Sequence, residues 1–182
     1  KQEAARRGLP NLPNMVAAIP ALTTEKTVKM YEKFGVFTEA ELESRSEVLY
    51  ETYAKTTAIE ARTMLHMAGK HYIPAIIRYT TRLADSICKV RTACPAAVTT
   101  VQEGLLTETS TLLAQANAAL KLLEESVREM NEIESACEMA TFCRDRIVPA
   151  MRGLRAPIDK LELIVDKDIW PVPTYGDLMF EV

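Results

Sequence analysis

Cysteine is a residue type in this sequence that could hold a metal ion or perform redox chemistry. The cysteines form two pairs, Cys88 with Cys94 and Cys137 with Cys143, and five residues separate the members of each pair. This spacing differs from the C-x-x-C of zinc and redox sites. Six residues turn a helix through about 600°, so the thiols of a helical pair would diverge by about 120°. We therefore interpret all four as buried or surface thiols.

Histidines and carboxylates on helices could instead form a di-iron or di-manganese centre. That chemistry needs inward-facing Glu and Glu-x-x-His pairs, and neither His66 nor His71 has a Glu three residues before it. Both lie close to Met64 and Met67, which favours packing or surface histidines over metal ligands. The spacing therefore disfavours a carboxylate-bundle metalloenzyme.

Glycine and serine motifs for nucleotide binding or hydrolysis are also missing from the sequence. The six glycines are too scattered for a P-loop or a dinucleotide fingerprint, both of which need clustered glycines to bring backbone N–H groups to phosphate. There is no G-x-S-x-G elbow and no H-E-x-x-H helix. The sequence therefore shows no motif for a nucleotide site, for nucleophilic hydrolysis or for zinc hydrolysis.

Charge and hydropathy exclude further classes of partner. The formal net charge of -3 gives none of the positive field that phosphate-backbone binding requires. No stretch approaches the roughly 18 to 20 apolar residues of a membrane helix, and residues 1–8 do not resemble a signal peptide. We expect a cytoplasmic protein that binds neither nucleic acid nor membrane.

The sequence predicts an all-α fold. Apolar residues recur at spacings of three and four over most of the 182 residues, and glycine is rare. The length and the 48% hydrophobic content fit a single domain over 1–182. Within it we expect an N-terminal covering segment at 1–37, a long-helix bundle at 38–169 and a docking tail at 170–182.

Capping residues predict where the helices begin and end. Residues 1–7 resemble the last turns of a helix that ends at Gly8, and a short helix should run from the cap at Thr23-Thr24 to Gly35. Thr38-Glu39-Ala40-Glu41 is a capping box, which opens a helix that continues to about Arg91.

Two further long helices complete the predicted bundle. The second begins after Thr99 or Thr100, and the third follows a weak break at 131–135 and continues almost to Trp170. Short turns predict an up-down-up order in which the first helix is longest and residues 39–58, with Tyr53, overhang the second. Pro74 and Pro149 lie in similar local sequence, so we expect each to bend its helix at one level of the bundle.

Charge is segregated along these helices. Acidic residues dominate 124–138, whereas basic residues dominate the first long helix from Arg62 to Arg91. A solvated face with weak helix–helix ion pairs explains this pattern. An electrostatic contact with another subunit or domain is the alternative.

The C-terminal tail begins where Trp170-Pro171-Val172-Pro173 breaks the third helix. We expect an extended apolar tail that either folds back on the bundle or supplies interface anchors, since Trp and Tyr are good anchors. The candidate interface residues are Trp170, Tyr175, Asp177, Phe180 and, on the overhang, Tyr53. The absence of an initiator Met, together with the abrupt opening helix, predicts that the sequence is a fragment of a longer protein.

Several stretches resemble the C-terminal region of type III glutamine synthetases, in the same order along the chain. The resemblance covers essentially the whole sequence, although 98–131 carries little motif. It rests chiefly on Arg6 to Asn11 and on Trp170 to Leu178. The matching stretches are Glu3 to Asn11, Ile19 to Leu22 with Glu25-Lys26, Phe34 to Leu42, Ile59 to Met64, Ile73 to Ala75, Val148 to Met151 and Trp170 to Leu178.

The resemblance implies a parent enzyme that ligates ammonia to glutamate with ATP and a divalent metal, Mg or Mn, in a large double-ring homo-oligomer. In that family the catalytic residues precede this region, so the fragment alone should be inactive and hold no cofactor. It implies a structural domain whose partners are the catalytic portion of the same enzyme and neighbouring subunits. The alternative is a free-standing helical adaptor that binds a partner helix in a groove.

Overall fold

The computed structural model describes residues 2–173 and 175–180, except for the side chains of Ala5 and Tyr175, and these ranges contain helices and turns but no strand. The all-α prediction is confirmed. The chain divides into two compact units: Lys1–Glu60 with Arg128–Val148, and Ala61–Val127 with Pro149–Val182. The single domain with parts 1–37, 38–169 and 170–182, and the up-down-up order of the long helices, stay predictions.

The first and the third of the short N-terminal helices end just before the predicted glycines. Gly8 and Gly35 adopt positive φ angles of 70° and 62°, which glycine tolerates without strain. At the second of these ends the N–H of Val36 donates to the carbonyl of Tyr31 at 3.0 Å, which closes a Schellman motif. The elements are α1 (Gln2–Arg6), α2 (Met15–Ala18), a 3₁₀ turn (Ile19–Thr23) and α3 (Glu25–Lys33).

Helix α4 (Glu39–Met67) begins at the predicted capping box. The backbone N–H of Thr38 donates to the Glu41 carboxylate at 2.8 Å, and the backbone N–H of Glu41 donates to the Thr38 hydroxyl at 3.4 Å. These two bonds satisfy N–H groups that have no partner within the helix. Residues of α4 up to Glu60 belong to the first unit.

A π-helical turn precedes Pro74 and another precedes Pro149. The turn Ala68–Tyr72 joins α4 to α5 (Ile73–Ala93), and the turn Cys143–Ile147 joins α7 (Ala136–Phe142) to α8 (Val148–Glu162). The N–H of Ile73 bonds to the carbonyl of Ala68, and the N–H of Val148 bonds to the carbonyl of Cys143, each five residues back. A proline cannot supply the ordinary bond four residues back and its ring crowds that carbonyl. A wider turn relieves this crowding at Pro74 and at Pro149, whereas Pro157 lies within the regular part of α8; bending at one level stays a prediction.

Helix α6 (Thr100–Met130) begins and ends close to the predicted positions. Within the second unit it buries one stripe at spacings of three and four, as expected of a helix that packs on one face. Its members are Leu112, Ala116, Leu120, Leu123 and Val127. The predicted break at 131–135 is present, and Ser135 caps α7.

Helix α8 ends earlier than the sequence pattern predicts. It stops at Glu162, although the apolar stripe continues to the buried Val165. The Asp166 carboxylate accepts a hydrogen bond from the N–H of Asp168 at 3.0 Å, and the Asp166 carbonyl accepts from the N–H of Trp170 at 3.0 Å. These local bonds form a turn that competes with helix continuation.

The tail is not extended to its end, which corrects the sequence prediction. Residues Tyr175–Phe180 form a short helix, α9. The prolines at 171 and 173 prevent helix only up to that point, because later residues again carry N–H groups. Asp177 in the first turn also interacts favourably with the helix dipole.

Candidate functional site

Trp170, one of the predicted interface residues, is buried within the second unit. The residue is only 8% exposed, and its indole ring lies against the Tyr72 ring with a centroid separation of 5.1 Å and an angle of 36° between the ring planes. Its indole N–H has no hydrogen-bond partner in the described part of the chain. The alternative in which the Trp170 end of the tail folds back is therefore the one the structure shows.

The turn before Trp170 fixes this position. Asp166 accepts the backbone bonds described above, and its second carboxylate oxygen lies 2.9 Å from the Arg82 guanidinium on α5. The Arg82 side chain is 64% exposed and that of Asp166 is 34% exposed, so the ion pair is partly solvated. One carboxylate therefore links the end of α8 to α5 and orients the start of the tail.

Helix α9 presents the exposed part of the surface. Asp177 forms an ion pair with Lys167, and its side chain is only 12% exposed. Leu178, Met179 and Phe180 are 68%, 67% and 79% exposed, respectively. The side chain of Tyr175, also a predicted anchor, lies outside the described residues. We refer to Leu178, Met179 and Phe180 as the α9 patch.

Tyr53 occupies a different place from the tail residues, because it belongs to the first unit. Its side chain is half-buried near the π turn Cys143–Ile147, and burial first and then the nearby Cys143 thiol raise the pKa of Tyr53 above its ordinary value. Tyr50, one turn earlier, hydrogen-bonds with Cys137, and burial first and then that contact raise the pKa of Tyr50. The predicted site residues therefore fall into two separate groups.

The cysteines and histidines form no metal site within the described residues. No group of three or more Cys, His, Asp or Glu side chains is arranged to hold a metal there. Cys88, Cys94 and Cys137 are exposed free thiols, whereas Cys143 is buried with its sulfur 3.5 Å from that of Met130. The rings of His66 and His71 lie 5.6 Å apart on the surface.

Ion pairs of the described chain are mostly local and solvated. Lys89 pairs with Asp85 on the same helix, and Arg146 lies 3.8 Å from Glu129. Such exposed pairs contribute little to stability. None of the described helices is both long and apolar enough to cross a membrane.

Sequence reasoning missed a cleft beside Tyr72 in the second unit. It measures about 310 Å³ and is lined by side chains from α4, the following π turn and α8. Met64 and Met67 were visible in the sequence as a methionine-rich stretch, but nothing in the pattern paired them with α8. The lining residues are Met64, Met67, Ala68, Tyr72, Leu154, Arg155, Ile158, Asp159 and Glu162.

Comparison with known proteins gives consistent matches. Residues 1–91 match the family described as glutamine synthetase C-terminal domain. The sequence is 30% identical to the type-3 glutamine synthetase of Dictyostelium discoideum, over 99% of this chain and 25% of that protein. It is 28% identical to a glutamine synthetase of Butyrivibrio fibrisolvens, over 100% of this chain and 26% of that protein. It is 29% identical to a glutamine synthetase of Bacteroides fragilis, over 99% of this chain and 25% of that protein. The chain thus spans about a quarter of the length of these relatives.

Proposed function

Because the chain belongs to the glutamine synthetase C-terminal domain family, we propose that it is a non-catalytic helical domain of a type III glutamine synthetase. The parent reaction is the ATP-dependent ligation of ammonia to glutamate, with Mg or Mn as the metal. The domain supports packing against the catalytic portion and assembly of the homo-oligomer. It contributes no residue to the chemistry.

The α9 patch is the observation that carries this proposal. Three adjacent large apolar side chains, each at least 67% exposed, lie on one short helix. Exposed apolar patches of this kind mark sites of protein contact. The ion pair between Lys167 and Asp177 holds α9 close to the Trp170 turn, so the patch is presented from a fixed place in the second unit.

The test is sedimentation velocity on the full-length synthetase. Changing Leu178, Met179 and Phe180 together to Ser should shift the enzyme to smaller species, because the apolar contact is lost. The matched control changes Val98 and Leu163 to Ser, which are 82% and 88% exposed but lie outside α9. Removal of the whole region from Lys1 should give at least as large a shift.

Two results would contradict the proposal. The first is that the triple variant and the truncated enzyme both sediment like the unmodified oligomer. The other is a stoichiometric heat when the 182-residue chain alone is titrated with magnesium-ATP and glutamate, since a structural domain should give none.

A further inference from the structure

The cleft beside Tyr72 has a layered lining that differs from the rest of the second unit. Its floor is formed by Ala68, Leu154 and Ile158, which are 2%, 1% and 8% exposed. Met64 and Met67, half-buried on α4, form one wall. Methionine side chains are flexible and polarizable, so they adapt to ligands of different shape. The base of the cleft therefore suits an aliphatic or aromatic body.

The rim of the cleft carries an excess of negative charge. Arg155, Asp159 and Glu162 lie on one face of α8 because their spacing of four and three residues follows the helical period. Arg155 is paired with Asp159 at 3.0 Å, which balances those two charges. Glu162 forms no ion pair within the described residues, so its charge remains uncompensated at the rim.

Tyr72 lines the same cleft as the carboxylates of Asp159 and Glu162. Burial raises the pKa of the Tyr72 hydroxyl, and the charges of Glu162 and Asp159 raise it further. Both carboxylates therefore lie near enough to Tyr72 for their charges to act on its hydroxyl. The Trp170 ring, which does not line the cleft, packs against Tyr72 at a centroid separation of 5.1 Å.

We propose that this cleft is a binding site for a small organic cation, a primary amine carried on an aliphatic or aromatic body. The ammonium group would donate hydrogen bonds to Glu162, with Asp159 adding charge, while the apolar body would lie against Met64 and Met67. A volume near 310 Å³ is at the lower end of the range of small-molecule pockets. This site is separate from the α9 patch and does not depend on the assembly role.

The test uses three probes with the same body and different charge: n-hexylamine, n-hexanol and n-hexanoate. Binding is followed through the ¹³C methyl resonances of Met64 and Met67 in the 182-residue chain, assigned with Met64→Leu and Met67→Leu. We expect saturable shifts with hexylamine at an affinity about threefold above that for hexanol, weaker binding of hexanoate, and loss of the preference at high salt.

Matched variants locate the charge that sets this preference. Glu162→Gln should reduce hexylamine affinity to that of hexanol, whereas Glu124→Gln, an exposed carboxylate on α6 that does not line the cleft, should leave it unchanged. Equal affinity for hexanol and hexylamine, no methyl shift with any probe, or an unchanged preference in Glu162→Gln would each overturn the proposal. Its failure would leave the sedimentation result untouched, because the variants do not alter α9.

Discussion

The carboxylate of Asp166 lies 2.9 Å from the guanidinium of Arg82, although 84 residues separate them in sequence. The same carboxylate also accepts a hydrogen bond from the backbone N–H of Asp168, in the turn that follows α8. Asp166 thus has two roles: it forms an ion pair with Arg82, and it stabilises the turn that positions Trp170 against Tyr72.

These two roles can be separated by substitution. Asp166→Ala removes both and should lower the free energy of unfolding of the second unit by about 1 to 2 kcal/mol. Asp166→Asn keeps the side-chain oxygen that accepts from Asp168, so it should cost under about 1 kcal/mol, as should Arg82→Met. Urea unfolding followed by the fluorescence of Trp170, the only tryptophan in the sequence, measures the difference. Equal losses for Asp166→Ala and Arg82→Met would show that the turn contributes nothing.

Helix-interior glycines offer a gain in stability. Gly104 on α6 and Gly153 on α8 have ordinary helical φ angles, and a Cβ added at either would meet no atom within 4 Å. Alanine there should raise the free energy of unfolding by about 0.5 to 1 kcal/mol each, since glycine loses more backbone entropy on folding. Gly35→Ala is the control, and it should be destabilising because Gly35 has a φ of +62°. Denaturant midpoints that rise for Gly35→Ala, or fall for the other two, would contradict this.

The ends of α1 and α3 and the start of α4 could be predicted from sequence because they depend on local chemistry. Gly8, Gly35 and the Thr38–Glu41 box each satisfy nearby backbone groups, and no distant partner is needed. The π turns before Pro74 and Pro149 were not predicted, since a proline shows that one hydrogen bond is lost but not which wider turn replaces it.

The end of α8 and the cleft depend on contacts between distant segments. The apolar periodicity predicts a third helix that is longer than the observed one. Val165 is buried although it lies in a turn after the helix, and Leu163 is apolar yet 88% exposed. The cleft joins Met67 to Glu162, and a single sequence cannot pair such segments. The family resemblance was visible in short motifs, since these occur along most of the chain.

The capping box of α4 supplies a third prediction. Thr38→Ala should lower the free energy of unfolding of the first unit by about 1 kcal/mol, because it removes the side-chain bonds to Glu41 and leaves an orphan N–H. Thr52→Ala is the matched control: its hydroxyl bonds only to the Val48 carbonyl within the helix, so the change should be within about 0.5 kcal/mol of zero. Amide exchange across residues 39–45 should quicken only in the first variant. Equal effects would show that the cap does not stabilise the helix start.

The buried thiol of Cys143 should not react with thiol reagents in the folded protein. Burial raises the pKa of Cys143 to about 11, so very little reactive thiolate is present at pH 8. Cys88, Cys94 and Cys137 are exposed. A disulfide exchange reagent should therefore modify three thiols rapidly at pH 8 and the fourth only after unfolding. Four thiols reacting at one rate in the folded chain would contradict the burial of Cys143.

The same thiol makes folding stability depend on alkaline pH. Its folded pKa of about 11 lies above the ordinary value of 9.0, so the folded state holds the proton more tightly than the unfolded state does. This contribution is therefore full below pH 9 and is lost as the pH rises from 9 to 11. Cys143→Ala should lower stability at pH 7 through the cavity it leaves, yet show a shallower decline between pH 9 and 10.5, while Cys88→Ala should follow the unmodified chain. Parallel declines for Cys143→Ala and the unmodified chain in pH-dependent urea unfolding would show that Cys143 ionises equally easily in both states.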